Sequence, residues 1–167
     1  MPSAVTPEMF VACGLSRDPR QVGYAREMTR KTLREWGLAE HADLVELIVS
    51  ELVTNAILHG AEPIEFRLAC DPSRLQVEVH DNGTGRPTQC RTGPEDERGR
   101  GLMLIGGLIQ THGGTHCVID DDAGPGKTIY VSVPLTAVQA RRTWAAAAGR
   151  SPDRYPARQA SARSGRA

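Results

Sequence analysis

The sequence predicts an α/β two-layer sandwich, a mixed and mostly antiparallel sheet with helices packed on one face. Three observations predict it. Two segments, "DPRQVGYAREMTRKTLREWGL" and the run from about Ala42 to His59, carry apolar residues at helical spacing. Two strand-like runs, "IEFRLAC" and "RLQVEVHD", are joined by the turn residues Asp71, Pro72 and Ser73 and so read as an antiparallel hairpin. A further helical stretch, "GLMLIGGLIQTH", leads into two more strand-like pieces, "THCVID" and "KTIYVSVPL". The 167 residues suffice for one domain with a real core and little to spare.

Taken in order, "EMFVACGLS" reads as a short strand. The first helix opens on an Asp-Pro start signal, Asp18 and Pro19. Val22, Ala25, Met28, Thr29, Leu33 and Trp36 follow at roughly helical spacing, and Gly37 is the expected stop. In the second helix Leu44, Leu47, Ile48 and Leu52 fall on one side, and Gly60 followed by Pro63 ends it. In the hairpin's second strand Leu75, Val77 and Val79 alternate with Gln76, Glu78 and His80, giving one apolar face and one wet face. From Asn82 to Arg100 the chain is rich in Gly, Pro, Thr and charge, without periodicity. Such long connections are usually functional or disordered. The turn between the last two strands runs from Asp121 to Gly126.

The main domain is expected to span residues 1–136. After Thr136, Ala and Arg dominate, and seven arginines (141, 142, 150, 154, 158, 163, 166) face a single acid, Asp153. "LTAVQARRTWAAAA" reads as a last helix. Beyond Gly149 the composition is that of a disordered tail, with plain solvent or an acidic partner as its two readings.

Bulk properties exclude several classes. The formal net charge is zero, so charge gives no reason to expect nucleic acid or an anionic membrane as partner. Cys13, Cys70, Cys90 and Cys117 lie far apart without a C-x-x-C pair. That argues against a zinc ribbon or a thioredoxin-type site, and for reduced thiols in a cytoplasmic protein. The N-terminus lacks the basic and apolar regions of a signal peptide, and no run approaches the roughly 20 apolar residues that span a bilayer.

Four constellations can carry chemistry. On the second helix Glu51 is three on from Ile48, and Asn55 is four on from Glu51. They are vertical neighbours on or beside the apolar stripe. A buried, unpaired carboxylate is costly, so either the stripe opens there onto a polar site or Glu51 reaches solvent at its edge. "DNGTG", Asp81 to Gly85, closes an alternating strand. A carboxylate there can accept from an exocyclic amino group, and glycines let a flat or charged ligand approach closely; an ordinary Asp-Asn-Gly turn is the competing reading. "ERGRGLMLI" sets Gly99 and Gly101 around Arg100 at a helix start. Free backbone N–H groups and a forked cation suit a phosphate, while a flexible helix start explains the same residues. "GPGKTIYVSV" opens the last strand with Gly124, Gly126, Lys127 and Thr128. It is not a Walker A loop, because the glycine spacing is wrong and a strand follows. These pieces occur in order within about eighty residues, which independent accident does not explain.

In that order they resemble the GHKL ATPase superfamily with its Bergerat-type ATP-binding fold. "ELVTNAILHG" looks like its N box, "DNGTG" its G1 box and "GRGLMLI" its G2 box. Within the superfamily the chain is similar to bacterial anti-sigma-factor serine/threonine kinases, through "VGYAREMTRKTLREWGL", "LIVSELVTNAILHG", "GRGLMLIGGL" and "GKTIYVSVP". The likeness covers roughly Met9 to Leu135.

The resemblance implies ATP and Mg²⁺ as cofactors. Asn55 would hold the Mg²⁺ that bridges the phosphates, and Glu51 would act as general base toward a serine or threonine hydroxyl. Asp81 would accept from the adenine amino group, with Gly83 and Gly85 shaping that pocket. Gly99, Arg100, Gly101 and Leu102 would close over the phosphates, Thr128 would support the adenine end, and Arg86 to Arg98 would form the ATP lid. The implied partners are an anti-anti-sigma (STAS-type) protein and a sigma factor, and family members often form homodimers. A non-catalytic ATP-binding anti-sigma module would show the same motifs. The catalytic module of a histidine kinase would bring an adjoining helical hairpin with the acceptor histidine, and fifty residues precede the N box. A gyrase-, chaperone- or mismatch-repair-type ATPase would need a second, transducer domain. Three features depart from the family: the charged lid "GPEDERGR", Cys90 within it, and "THGGTHC" where members often carry Trp-Gly. His59 and His112, near helix ends, read as structural.

Overall fold

Period-two burial builds the sheet. In the computed structural model, which describes residues 9–84, 100–122 and 124–148, the strands are β1 (Met9–Leu15), β2 (Ile64–Cys70), β3 (Arg74–Asp81), β4 (Thr115–Asp120) and β5 (Lys127–Pro134). They form one sheet in the order β1-β2-β3-β5-β4, and every neighbouring pair is antiparallel. The sheet expected to be mixed and mostly antiparallel thus has no parallel pair among the described residues. The reason is that two hairpins, β2–β3 and β4–β5, make up most of it, and hairpins pair antiparallel.

Leu75, Val77, Val79 and Asp81 of β3 are buried, as are Ile129, Val131 and Val133 of β5. The opposite face is polar. There Arg67 pairs with Glu78 at 2.7 Å and lies 4.6 Å from the centre of the Phe10 ring, and His80 Nε2 stands 3.0 Å from Asp121 Oδ2.

Helices cover the apolar face: α1 (Arg20–Glu35), α2 (Ala42–His59), α3 (Arg100–Thr111) and α4 (Ala137–Ala148), with a short 3-10 helix at Ala39–His41. At the start of α1 the Asp18 carboxylate accepts the Arg20 N–H at 2.9 Å. Gly37, at φ 71°, takes the left-handed turn that stops it. α2 keeps the expected bounds. It packs on α1 on one side and on β2 and β3 on the other.

That double coverage widens its buried face. Leu44, Val45, Ile48, Val49, Leu52, Val53, Ala56 and Ile57 are all buried, whereas Leu47, expected on the stripe, is 46% exposed. The stripe is centred further round the helix than a three-and-four spacing from Leu44 suggests. Positions 47, 51, 54 and 58 therefore face outward. Glu46 is buried instead, and its carboxylate takes both arms of the Arg30 guanidinium of α1, at 2.8 and 2.6 Å. A bidentate, charge-assisted pair of this kind sets the orientation of the two helices.

The "THGGTHC" stretch is a tight helix stop. His112 Nδ1 lies 2.9 Å from the Leu108 carbonyl, and Gly113 has φ 70°. A Cβ on Gly114 would stand 2.6 Å from the Ser132 oxygen. α4 docks on the short helix: Gln139 reaches His41 at 3.0 Å, and Arg142 pairs with Glu40. Burial alone would raise the Glu40 carboxyl. Hydrogen bonds from its own backbone, Gln139 and Arg142 outweigh that and hold it below its usual range. Trp144 packs against the core. Cys13, Cys70 and Cys117 are free thiols, and Cys90 and the tail lie outside the described residues. Among the described residues no helix is long and apolar enough to cross a membrane.

The revised face of α2 has a measurable consequence. Ile48→Ala should cost about 2–5 kcal/mol, while Leu47→Ala should stay within about 0.5 kcal/mol, read as urea midpoints at unchanged slope. Equal losses would put Leu47 back in the core.

Candidate functional site

α2 and β3 end together, and glycines let them do so. The Gly60 N–H closes the last turn on the Ala56 oxygen at 2.9 Å, and the Asn82 N–H reaches the Ala61 oxygen at 2.8 Å. Arg17 clamps the same end: its Nε donates to the Ile57 carbonyl at 3.0 Å, and its N–H to Glu62 Oε1 at 2.8 Å. An otherwise orphaned helix-end carbonyl is satisfied in this way. Asp81, the last residue of β3, is only 3% exposed. A Cβ on Gly60 would come within 2.6 Å of its Cγ, and one on Gly83 within 2.9 Å of its Oδ1. The carboxylate therefore sits in a cradle that only glycines can line.

Two donors serve that carboxylate. The Gly83 N–H bonds to Oδ1 at 2.8 Å, and Lys127 Nζ bonds to the same oxygen at 2.9 Å. Both side chains of this ion pair are nearly buried. Without such partners a desolvated carboxylate would be strongly unfavourable. No described residue hydrogen-bonds to Oδ2, so one acceptor oxygen remains.

Register decides which β5 residue meets Asp81. Lys127 is its partner across the ladder, and Thr128 faces His80. Successive side chains alternate, so Thr128 falls on the opposite face of the sheet from Asp81. The adenine-end support expected of Thr128 is therefore not what the register provides. Lys127 is the residue missed, and a signal existed: Ile129, Val131 and Val133 point inward, and two residues earlier comes Lys127.

Glu51 and Asn55 lie one turn apart on α2, both partly buried. Neither side chain has a hydrogen-bond or ion-pair partner among the described residues. They border the buried stripe, beside the outward strip that carries Leu47 and Leu58. Arg100, Gly101 and Leu102 form the first turn of α3, which packs beside α2. Gly85, Gly99 and the lid segment Arg86 to Arg98 lie outside the described residues. His59 is exposed at the end of α2.

The donors fit ATP·Mg²⁺. Asn55 offers a neutral oxygen, the hard ligand Mg²⁺ takes alongside phosphate oxygens. Asp81 offers a fixed acceptor, its Oδ2, in a glycine-lined cradle. Among the described residues no group of three His, Cys, Asp or Glu side chains forms a metal site alone. A metal here would therefore rest on Asn55 and the ligand's own oxygens.

Comparison with known proteins bears on the same segment. The family described as histidine kinase-like ATPase domain matches residues 15–132. The chain belongs to that family. Membership implies ATP binding, usually with Mg²⁺. This ATPase domain is 29% identical over 111 residues to nitrogen regulation protein NtrY of Azorhizobium caulinodans, covering 54% of this chain and 14% of NtrY. It is similar to the histidine kinase domain from the Erythrobacter litoralis EL346 blue-light activated histidine kinase, at 27% identity and a TM-score of 0.46, over 64% of this chain and 49% of that one. It is also similar to the catalytic domain of histidine kinase ThkA, at 16% identity and a TM-score of 0.49, over 78% of this chain and 98% of that one. The ATPase domain thus spans a minor part of NtrY and about half of the blue-light kinase domain.

The cradle is open to a direct test. Gly60→Ala should destabilise the ATPase domain by about 1–3 kcal/mol through overpacking and weaken ATP binding along with it. Gly23→Ala, with nothing within 4 Å of its new Cβ on α1, should instead gain up to about 1 kcal/mol. Chemical denaturation of both variants gives the comparison.

Proposed function

We propose that this ATPase domain is an ATP-dependent anti-sigma-type regulator. It binds ATP·Mg²⁺ and transfers the γ-phosphoryl group to a serine or threonine of a small anti-anti-sigma (STAS-type) protein. It also sequesters a sigma factor, and phosphorylation of the antagonist switches partners. One observation carries the reading. A carboxylate and a carboxamide, Glu51 and Asn55, stand partnerless among the described residues, one turn apart, on the helix that ends at the Asp81 cradle. Support for serine or threonine as acceptor comes from the sequence phrases shared with anti-sigma-factor kinases, "LIVSELVTNAILHG" and "GRGLMLIGGL".

Phosphoryl transfer asks little covalent chemistry of the protein. Positioning and charge neutralisation suffice. Bound Mg²⁺ would supply neutralisation of the phosphate oxygens. Asn55 would orient that ion through its side-chain oxygen. Asp81 would accept the exocyclic N–H of adenine and so place the far end of the nucleotide. Gly83 and Gly85 would line the base, and Gly99, Arg100, Gly101 and Leu102 would present backbone N–H groups and a cation to the phosphates. Glu51, one turn from Asn55, would take the proton from the acceptor hydroxyl as its oxygen attacks.

A second reading has its own support. The similar proteins NtrY and the blue-light kinase are a nitrogen regulation protein and a histidine kinase, which favours a catalytic module that phosphorylates a histidine. A third, an ATP-binding anti-sigma module without transfer, shares every site residue.

Incubation with radiolabelled ATP and a purified STAS-domain protein separates the three. Serine or threonine phosphate survives acid, whereas phosphohistidine does not. Label on the STAS protein that survives acid is the expected result. ATP binding without label would sink the kinase reading. Asn55→Ala should abolish Mg²⁺-dependent ATP binding. Glu51→Ala should leave binding within about twofold and lower transfer by roughly 10²–10⁴-fold; undiminished transfer would overturn the base assignment.

A further inference from the structure

Lys127 is the one charged side chain of β5 that points into the core. Its neighbours on that face are Ile129, Val131 and Val133, and it is 5% exposed. Packing alone asks for an apolar residue there, because a buried ammonium is costly unless paired. Its partner is Asp81, directly opposite in the ladder, with Nζ 2.9 Å from Oδ1. The Gly83 N–H takes up the same oxygen at 2.8 Å. Lysine can only donate, and a salt-bridged carboxylate can only accept. With Oδ1 engaged twice, what remains for a ligand is Oδ2, an acceptor with no donor beside it among the described residues.

We infer that Lys127 is the positioning residue that holds Asp81 as an acceptor-only group and thereby makes the site choose a 6-amino purine over a 6-oxo purine. This rests on the reading above that Asp81 meets the base of ATP. A 6-amino purine turns an N–H toward the free oxygen. A 6-oxo purine turns a carbonyl toward it, so two acceptors face each other and both lose their water. Without Lys127, Asp81 keeps a single backbone donor in a buried place. The carboxylate is then free to turn, and its unengaged oxygen no longer stands fixed opposite the 6-position of the base. Discrimination, rather than affinity alone, is what Lys127 confers.

The experiment is equilibrium binding of ATP and of inosine triphosphate to the full chain, as wild type, Lys127→Arg and Lys127→Met. Wild type should prefer ATP by at least about 100-fold, a floor below the roughly 10⁴–10⁵-fold by which sites built around a hydrogen bond reject analogues lacking it. Lys127→Met should narrow that ratio by about tenfold or more, the effect of one lost charge-assisted bond. Lys127→Arg, which keeps the charge, should retain most of the preference. If ATP and inosine triphosphate weaken in parallel in Lys127→Met, with the ratio unchanged, the role is merely structural and the inference fails. A measurement on the wild type covers the case of a methionine variant that does not fold. The ¹⁵N signal of the Lys127 ammonium and the ¹³C signal of the Asp81 carboxyl should show the pair intact after ATP is added. A pair that ATP breaks would overturn the inference. Equal binding of both nucleotides by the wild type sinks the role of Lys127 alone. Binding of neither sinks the ATP reading itself, and this inference with it.

Discussion

Asp81 places a carboxylate inside the core at the point where α2 and β3 end and β5 begins, and much of the neighbouring structure follows from keeping it there. Its donors come from two different elements, Lys127 on β5 and the Gly83 N–H beyond β3. The pairing of β3 with β5 is thereby pinned. A slip of one residue would bring Thr128 to this place and turn Lys127 out to solvent, leaving the buried charge with a backbone donor only. The end of α2 is pinned as well. Gly60 packs so closely on Asp81 that a side chain there has no room. Helix end, strand end and strand register thus meet at one ion pair.

α2 serves core and site at once, and its two carboxylates show how the roles divide. Glu46 and Glu51 lie five residues apart on the same helix. Glu46 turns toward α1 and is taken up by Arg30 at 2.8 and 2.6 Å. It is fully committed to holding the two helices together. Glu51 lies on the other side of the helix, partly buried and without a partner among the described residues. A partly desolvated carboxylate that makes no structural contact is available for chemistry. Its backbone is held by Ile48, Leu52 and Ala56, all buried one turn either side or next door. Glu51 and Asn55 therefore project from a rigid element rather than a loop, which would keep the proposed proton acceptor and metal ligand at a fixed spacing.

The legible parts of the fold were those with local causes. The bounds of α2, the β2–β3 hairpin and the last strand follow from periodicity and from punctuation by Gly37, Gly60 and Asp71-Pro72-Ser73. What escaped depended on neighbours distant in sequence. Leu47 fits a three-and-four spacing from Leu44 as well as any core residue does. Only the packing of α2 against both α1 and the sheet rotates the buried face away from it. The burial of Glu46 is not legible locally, because its partner, Arg30, lies sixteen residues away on another helix. Thr128 is different, because the alternation of Ile129, Val131 and Val133 already turned it outward and Lys127 inward. The role of Thr128 is implied by the family resemblance alone, and the pleat turns its side chain to the other face.

The two ends of the site differ in a way that bears on what the protein acts upon. The Asp81 end is enclosed by glycines and an ion pair, and on the proposed reading it would meet the nucleotide alone. The Glu51 end borders an outward strip on which Leu47 and Leu58 are 46% and 60% exposed. Families that share an ATP site while phosphorylating different side chains have no reason to differ at the enclosed end. With Glu51 as the proposed base, their difference would lie where an acceptor side chain approaches, on the open side of α2 next to Glu51. Membership of the histidine kinase-like ATPase domain family across residues 15–132 therefore speaks for the nucleotide half of the site. On the reading proposed above, the acceptor would be set by which partner surface brings a side chain up to Glu51, on the side of α2 that carries the exposed Leu47 and Leu58.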